Sequence, residues 1–173
     1  MNKAAFLDRD GVINVKAPEG QYVTGWEEVH FFPGVATAIA MLNNAGFRVI
    51  VVSNQRCVAK GLVTSAEVEA LHKRICRELA GLGAVIDAVY FCPHETAPPC
   101  DCRKPAPGML LAAAKEHRID LGASWMIGDS DADVAAGKNA GCKTVLLGRR
   151  TNSSGSAPDL LAQSLLDLAL LNA

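Results

Sequence analysis

The sequence holds two groups of side chains whose types and spacings suit metal binding. The first is a cluster of Cys92, His94, Cys100 and Cys102, spaced C-x-H-x5-C-x-C. Three thiolates and one imidazole can close a tetrahedral zinc site, which would be structural because no coordination position stays open. A disulfide within the cluster is the alternative. We favour zinc because we find no export signal in the sequence.

The second group consists of carboxylates. Asp8 and Asp10 lie two residues apart in DRDGVIN, a spacing that projects both side chains to one side of an extended chain. Asp129 and Asp133 lie in GDSDAD, at the start of a predicted helix. Crowded carboxylates repel one another unless a cation lies among them, and hard oxygen ligands suit Mg²⁺, so we expect a magnesium site. Stabilisation of the helix N-terminus is the alternative, which we prefer for Asp131.

Short apolar runs predict buried strands, and helical patterns lie between them. The predicted strands are residues 4–7, 47–52, 85–91, 125–127 and 143–147. The predicted helices are residues 34–45, 64–81, 107–117, 131–140 and 160–171. Thr64 and Glu67 form a capping-box pattern at the start of the second helix. Residues 9–33 form a long loop, and residues 151–159 are expected to be a flexible segment before the C-terminal helix.

The alternation of strands and helices predicts the fold class. The strands are apolar throughout, which is typical of a parallel sheet that is covered on both faces. We therefore expect an α/β doubly wound, Rossmann-like fold with a mostly parallel sheet, in a single domain over residues 1–173. In such folds the active site lies beyond the carboxyl ends of the strands.

The overall composition argues against several classes of partner. The net charge is −1 at pH 7, so the chain has no broad basic surface for nucleic acid or anionic lipid. We find no apolar run long enough to span a bilayer. We therefore expect a cytoplasmic monomer that acts on a small molecule and binds neither nucleic acid nor membrane.

Polar residues follow each predicted strand and can cooperate chemically. They are Asp8 and Asp10 after the first strand, Ser53, Asn54, Gln55 and Arg56 after the second, Arg103 and Lys104 after the third, and Asp129 after the fourth. This order of DxDG, S-N, lysine and GDxxxD resembles the haloacid dehalogenase (HAD) superfamily of phosphohydrolases. Each motif alone is weak, but the four in order span most of the chain.

The resemblance implies a role for each motif. Asp8 would be the nucleophile that takes the phosphoryl group, and Asp10 the acid and base for the leaving oxygen and the attacking water. Mg²⁺ would be bound by Asp8, the backbone carbonyl of Asp10 and Asp129. Lys104 would add positive charge in the transition state and steady Asp8.

The remaining strand-end residues would surround the phosphate. Ser53 and Asn54 would donate hydrogen bonds to the phosphoryl oxygens. Asp133 would support the water shell of the metal or orient Lys104. Ser130 occupies a position that is often basic in the family.

The segment CPH…CDCRKPxPGM narrows the resemblance to a small zinc-containing branch of the superfamily, which holds heptose-bisphosphate and histidinol-phosphate phosphatases. R-K-P-x-P-G-M, DRDGVIN and the NQ…A-K-G-L loop resemble the heptose enzymes more closely. This branch lacks a large cap domain, so loops would form the substrate walls. These loops are the zinc loop 92–102, the segment 53–56, and the early loop with Lys16, Glu19, Gln21 and Tyr22.

The zinc loop has an expected purpose. Arg103 and Lys104 directly follow the last ligand, so zinc would order the loop and aim both side chains at the phosphate. Arg56 departs from the small residues usual in the family. It either binds the distal phosphate of a bisphosphate or is solvated.

The resemblance implies Mg²⁺-dependent release of the 7-phosphate of D-glycero-D-manno-heptose 1,7-bisphosphate in nucleotide-activated heptose synthesis, with Mg²⁺ and Zn²⁺ as cofactors. A histidinol-phosphate phosphatase or another small sugar-phosphate phosphatase is the alternative enzyme. Arg56 and Arg103 favour a second anion over the amine of histidinol phosphate. A zinc-organised module that binds phosphate without turnover is the alternative of another class, and it leaves Asp8 without a purpose.

Overall fold

A computed structural model describes residues 1–148 and 157–171, and in these residues the strands form one six-stranded sheet. The strands are β1 Lys3–Leu7, β2 Phe47–Asn54, β3 Ala88–Cys92, β4 Trp125–Gly128, β5 Lys143–Leu147 and β6 Leu160–Ala162. Their order is β3-β2-β1-β4-β5-β6, and every neighbouring pair is parallel. The predicted α/β doubly wound fold is confirmed. The single-domain organisation stays a prediction.

Helices cover both faces of this sheet. They are α1 Val35–Asn44, α2 Ser65–Gly81, α3 Gly108–His117, α4 Asp131–Ala140 and α5 Leu165–Leu171. Alternate residues of a strand point to opposite faces. Leu7 therefore belongs to a core cluster with residues of α1, α2 and α5, whereas Phe6 packs in a second cluster with residues of α3 and α4. Within the described residues, no helix is long and apolar enough to cross a membrane.

The carboxyl edge of the sheet carries loops in place of a cap domain. Between β1 and α1, the only regular element in the described chain is the short 3-10 turn Trp26–Glu28. The loop after β2 runs directly to the capping box of α2, where Thr64 and Glu67 bond each other's backbone N–H as predicted. The strand ends are therefore open to ligands from the loop side.

The C-terminal segment differs from the prediction of one helix over residues 160–171. The chain instead forms strand β6, followed by the short helix α5. Asp159 explains the strand, because its carboxylate accepts hydrogen bonds from the backbone N–H and hydroxyl of Thr144 and holds the chain beside β5. Ser164 then accepts a bond from the N–H of Asp167 and starts a new helix. The predicted flexible segment falls mostly on residues 151–156, which lie outside the described residues.

The third strand also starts later than the prediction of residues 85–91. Val85 exchanges hydrogen bonds with the side chain of Asn43 at the end of α1, at 2.9 and 3.0 Å. These bonds take up the backbone groups that a strand would pair. The strand therefore begins at Ala88.

Gly137 is a position where α4 packs against the sheet without room for a side chain. A Cβ there would lie 2.6 Å from Met126 Cβ and 2.7 Å from Thr144 Cγ2. We predict that Gly137→Ala lowers the free energy of unfolding by about 1–3 kcal/mol, because the crowded core must shift. Urea denaturation measures this change.

Gly81 at the end of α2 is the matched control, because a Cβ there meets nothing within 4 Å. Gly81→Ala should leave the stability unchanged or raise it by up to about 1 kcal/mol. Equal denaturation midpoints for the two variants would contradict the packing argument.

Candidate active site

The carboxyl ends of the central strands surround a small polar cavity of about 180 Å³. Its walls come from the residues after β1, the end of β2, the loop after β3 and the start of α4. The lining residues are Asp8, Asp10, Ser53, Asn54, Lys104, Ser130, Ala132 and Asp133. The structure thus brings together strand-end motifs that lie up to 125 residues apart, as residues 8 and 133 show.

Lys104 lies at the floor of this cavity and is only 4% exposed. Its Nζ lies 2.9 Å from Asp8 Oδ1 and 2.6 Å from Asp133 Oδ1, and it donates a hydrogen bond to Val52 O at 2.8 Å. Burial alone would lower the pKa of Lys104, but the two carboxylates raise it above its ordinary value. The ammonium therefore stays charged, and Asp133 is placed to orient it.

Asp8 is a half-buried carboxylate whose ionised form a nearby cation would favour. Burial raises its pKa to about 7, although Lys104 opposes the shift, while Asp133 and Asp10 add to it. Asp8, Asp129 and Asp133 each present a carboxylate oxygen within 4.8 Å of the others. This oxygen-rich, acidic group fits a hard divalent cation such as Mg²⁺.

The surroundings of Asp129 already include one positive group and leave little room beside the loop after β1. Lys16 Nζ lies 2.5 Å from Asp129 Oδ2, so a positive group already approaches this carboxylate. At Gly11 a Cβ would lie 2.2 Å from the same oxygen, and φ is +93°. A side chain at position 11 would therefore collide with the Asp129 carboxylate. The glycine lets Asp129 approach the loop after β1.

Asp10 is held by three donors, and for two of them, Arg9 and Asn14, the sequence predicted no role in the site. Arg9 donates from Nε and Nη2 to Asp10 Oδ1 at 3.1 and 3.0 Å, and Nη2 lies 2.8 Å from Oδ2. Asn14 donates to Oδ1 at 2.9 Å and Gln55 to Oδ2 at 3.1 Å. Arg9 is 1% exposed. The position of Arg9 between Asp8 and Asp10 is the sequence feature that could have indicated this role.

Asn54 has a different contact from the one that the family resemblance implies. Its Oδ1 accepts from the N–H of Lys104 at 3.0 Å, and its Nδ2 donates to the Lys104 carbonyl at 3.1 Å. The amide therefore fastens the loop after β3 to the end of β2. Donation to a phosphoryl oxygen by Asn54 stays a prediction, as does that by the buried Ser53.

Ser130 caps α4. Its side chain accepts from the Asp133 N–H, and Asp133 Oδ2 accepts from both the N–H and the hydroxyl of Ser130 at 3.1 and 2.6 Å. This capping box directs the other oxygen, Asp133 Oδ1, toward Lys104. Asp131 is exposed in the first turn of the helix, consistent with the preferred helix-end reading.

The cluster Cys92, His94, Cys100 and Cys102 forms a compact group of four ligand atoms. The Cys100 Sγ atom lies 3.6 and 3.5 Å from the sulfurs of Cys92 and Cys102, which are themselves 2.9 Å apart. His94 Nδ1 lies 3.5 and 3.2 Å from the same two sulfurs. Tetrahedral zinc with bonds of about 2.3 Å to sulfur separates its sulfur ligands by about 3.8 Å. The two Cys100 separations are close to this value, and the Cys92–Cys102 pair is tighter.

The electrostatics of this cluster also fit a cation. Burial raises the pKa of the Cys102 thiol to about 12, and the neighbouring Cys92 and Cys100 add to this shift. Burial likewise raises the pKa of Cys92. Thiols this close resist losing their protons together unless a cation replaces those protons. All six cysteines lie among the described residues, and each has a free thiol.

Arg56 lies in the loop after β2 and forms a two-pronged ion pair with Glu95 of the zinc loop, through Nε and Nη2. Arg56, and to a smaller extent Lys60 and Arg103, lowers the pKa of Glu95. Tyr22 contributes to the charged state of Arg56. Three cationic side chains, Arg56, Lys60 and Arg103, therefore influence Glu95. Neither role predicted for Arg56 from the sequence involved this partner.

The other predicted wall residues are less closely tied to the site. Lys16 contacts Asp129, as described above. Glu19 and Gln21 are exposed. Arg103 donates to the His94 carbonyl at 3.3 Å, so its guanidinium lies over the zinc loop. Binding of substrate by these residues stays a prediction.

Known proteins resemble this chain in both sequence and structure. The hydrolase-like family described as "HAD-hyrolase-like" matches residues 101–168. The D-glycero-beta-D-manno-heptose-1,7-bisphosphate 7-phosphatase of Rhodopseudomonas palustris is 46% identical over 145 residues, which cover 80% of this chain and 79% of that protein. The enzyme of the same name from Pseudomonas putida is 40% identical over 157 residues, which cover 88% and 89% of the two chains.

A solved structure agrees closely with the fold. The D,D-heptose 1,7-bisphosphate phosphatase of Bordetella bronchiseptica, crystallised with magnesium and phosphate, matches with a TM-score of 0.89 and 36% identity, and the match covers 99% of both chains. The structural match covers 99% of this chain, so it extends across the strand-end motifs and the zinc loop. This chain therefore belongs to the D-glycero-D-manno-heptose 1,7-bisphosphate 7-phosphatase family of HAD-like hydrolases.

Proposed function

We propose that this chain is a Mg²⁺-dependent phosphatase that removes the 7-phosphate of D-glycero-D-manno-heptose 1,7-bisphosphate. One observation carries the proposal: Asp8, Asp10 and Lys104 line one polar cavity whose acidic edge fits a magnesium ion. The names of the relatives supply the substrate and favour the heptose over histidinol phosphate. The paired nucleophile and lysine argue against a module that only binds phosphate.

Asp8 is the proposed nucleophile. One of its carboxylate oxygens attacks phosphorus while the bond from phosphorus to the sugar oxygen breaks, which leaves an aspartyl-phosphate. Lys104 holds the other side of this carboxylate at 2.9 Å and fixes its orientation. Its positive charge also favours the charge that develops on the phosphoryl oxygens.

Asp10 is the proposed acid and base. It gives a proton to the leaving sugar oxygen as that bond breaks, and then takes a proton from the water that cleaves the aspartyl-phosphate. Arg9, Asn14 and Gln55 fix its carboxyl group at the cavity. Both steps therefore use one carboxyl group in one position.

Asp8, Asp129 and the Asp10 carbonyl are the proposed magnesium ligands. When bound, magnesium neutralises charge on the nucleophile and on the phosphoryl oxygens. The proposed zinc ligands are Cys92, His94, Cys100 and Cys102, and their closed set leaves zinc a structural role. The loop that they fix carries Lys104, which Asn54 then fastens to β2.

Replacement of Asp8 tests the nucleophile. We predict that Asp8→Asn lowers kcat by at least about 1,000-fold, because the amide cannot form the phosphorylated intermediate. Phosphate release from the heptose bisphosphate, measured with and without Mg²⁺, provides the readout.

Asp131→Asn is the matched control, since Asp131 is an exposed aspartate at the start of α4, and it should retain activity. Substantial Mg²⁺-dependent turnover by Asp8→Asn would rule out the proposed nucleophile.

Replacement of Cys100 tests the zinc site. We predict that Cys100→Ser loses bound zinc and turns over more slowly, because the loop that carries Lys104 loses one of its anchors. Elemental analysis of purified protein gives the zinc content. Cys76→Ser is the control, because Cys76 lies on α2 outside the cluster. Full zinc content in Cys100→Ser would remove the four-ligand assignment.

Replacement of Arg56 tests whether its side chain binds the distal phosphate of the bisphosphate. We predict that Arg56→Ala raises KM for the 1,7-bisphosphate about tenfold, because a charged hydrogen bond to the distal phosphate is lost. The KM for the heptose 7-monophosphate should change by less than about twofold, because this substrate has no distal phosphate. Arg48→Ala is a control, because Arg48 forms a comparable surface ion pair with Asp87. Equal changes for both substrates would leave Arg56 without a role in specificity.

A further inference from the structure

His72 on α2 contacts the active-site loop through Arg9. The ring Nε2 of His72 lies 3.1 Å from Arg9 Nη1, and the side chains are 5% and 1% exposed. The two residues are 63 positions apart in the sequence. The contact therefore joins helix α2 to the loop that carries Asp8 and Asp10.

The contact with Arg9 determines the tautomer and the charge of the His72 ring. A guanidinium group is always protonated and can only donate hydrogen bonds. The Nε2 atom of His72 must therefore be the acceptor, which places the ring proton on Nδ1. A second positive charge beside the buried Arg9 would be costly, and burial, with Arg9, lowers the pKa of His72 to about 3. The ring is thus a neutral acceptor at physiological pH.

The other end of Arg9 faces Asp10. Nε and Nη2 both contact the carboxylate of Asp10, and Nη2 also donates to the Val23 carbonyl at 3.1 Å. A buried guanidinium whose three nitrogens all have partners is held in one orientation. His72 supplies the partner of Nη1, the nitrogen without a recorded contact to Asp10, and so completes the support of the carboxyl group.

A purely space-filling role explains His72 poorly. Its Nδ1 is buried and has no hydrogen-bond partner among the described residues, which is a cost that an apolar side chain would avoid. The ring packs edge-on to Phe91 with centroids 5.6 Å apart and borders a groove of about 440 Å³. The acceptor atom at Nε2 is the feature that an apolar residue could not replace.

We propose that His72 is a positioning residue that acts through Arg9 to hold Asp10 in line with the leaving oxygen. The inference rests on the proposed function, because it assigns proton transfer to Asp10. In this step a proton passes from the Asp10 carboxyl to the sugar oxygen while the phosphorus–oxygen bond breaks. His72 touches neither substrate nor metal, and its contribution is the orientation of its neighbour.

The test compares two leaving groups in two variants. His72→Phe removes the acceptor with a ring of similar size, whereas His72→Gln retains an acceptor that can reach Arg9. A sugar oxygen needs a proton to leave, but p-nitrophenolate does not. We expect His72→Phe to lower kcat/KM for the heptose bisphosphate about tenfold or more, and to change kcat/KM for p-nitrophenyl phosphate by less than about threefold. The comparison uses kcat/KM because it reports the steps up to departure of the leaving group, whereas the later attack of water, which Asp10 assists for both substrates, affects kcat.

His72→Gln should recover most of the activity toward the bisphosphate. Cys76→Ala is the matched control, because Cys76 lies one turn along α2 and borders the same groove. It should behave as the unmodified protein toward both substrates. Equal losses of kcat/KM on the two substrates in His72→Phe, or equal losses in the Phe and Gln variants, would overturn the positioning role.

Nitrogen NMR of the His72 ring in the unmodified protein gives a result independent of turnover. A neutral ring with its proton on Nδ1 supports the contact with Arg9, and a proton on Nε2 overturns it. If the unmodified protein releases no phosphate from the heptose bisphosphate, the proposed function fails, and the tautomer still decides whether Arg9 is held by His72.

Discussion

The ion pairs of the buried Lys104 are the interaction on which the rest of the site depends. Removing an ammonium group from water is costly unless carboxylates and carbonyls compensate for it. Here Asp8, Asp133 and the Val52 carbonyl do so, and they come from three different parts of the sheet edge. The compensation can form only when β1, β2 and α4 lie at their observed positions. Stability of the fold and alignment of the nucleophile thus share the same contacts.

Much of this arrangement was predictable from the sequence because it follows local rules. Apolar runs that end in polar residues located the strands, and the parallel topology then placed Asp8, Asp129 and Lys104 at one edge. The Thr64 capping box and the spacing of the zinc ligands were also readable, since both depend on short separations. Such features need no knowledge of distant partners.

Contacts between distant segments were not predictable. No local pattern pairs Arg9 with His72, or Arg56 with Glu95, because the partners come together only through the topology. Strand β6 was missed for a similar reason. Its leucines fit a helical pattern, and Asp159, through its bonds to a residue of β5, decides the conformation. Tertiary contacts outweighed local periodicity there.

The order of the strands has a consequence for biosynthesis. β1 occupies an inner position and pairs with both β2 and β4, so that Ala5 lies opposite Val49 on one side and Trp125 on the other. A ribosome must therefore release most of the chain before the first strand acquires its second neighbour. Until then an apolar edge near the amino terminus stays unpaired, and such edges are where nascent chains associate wrongly or recruit chaperones.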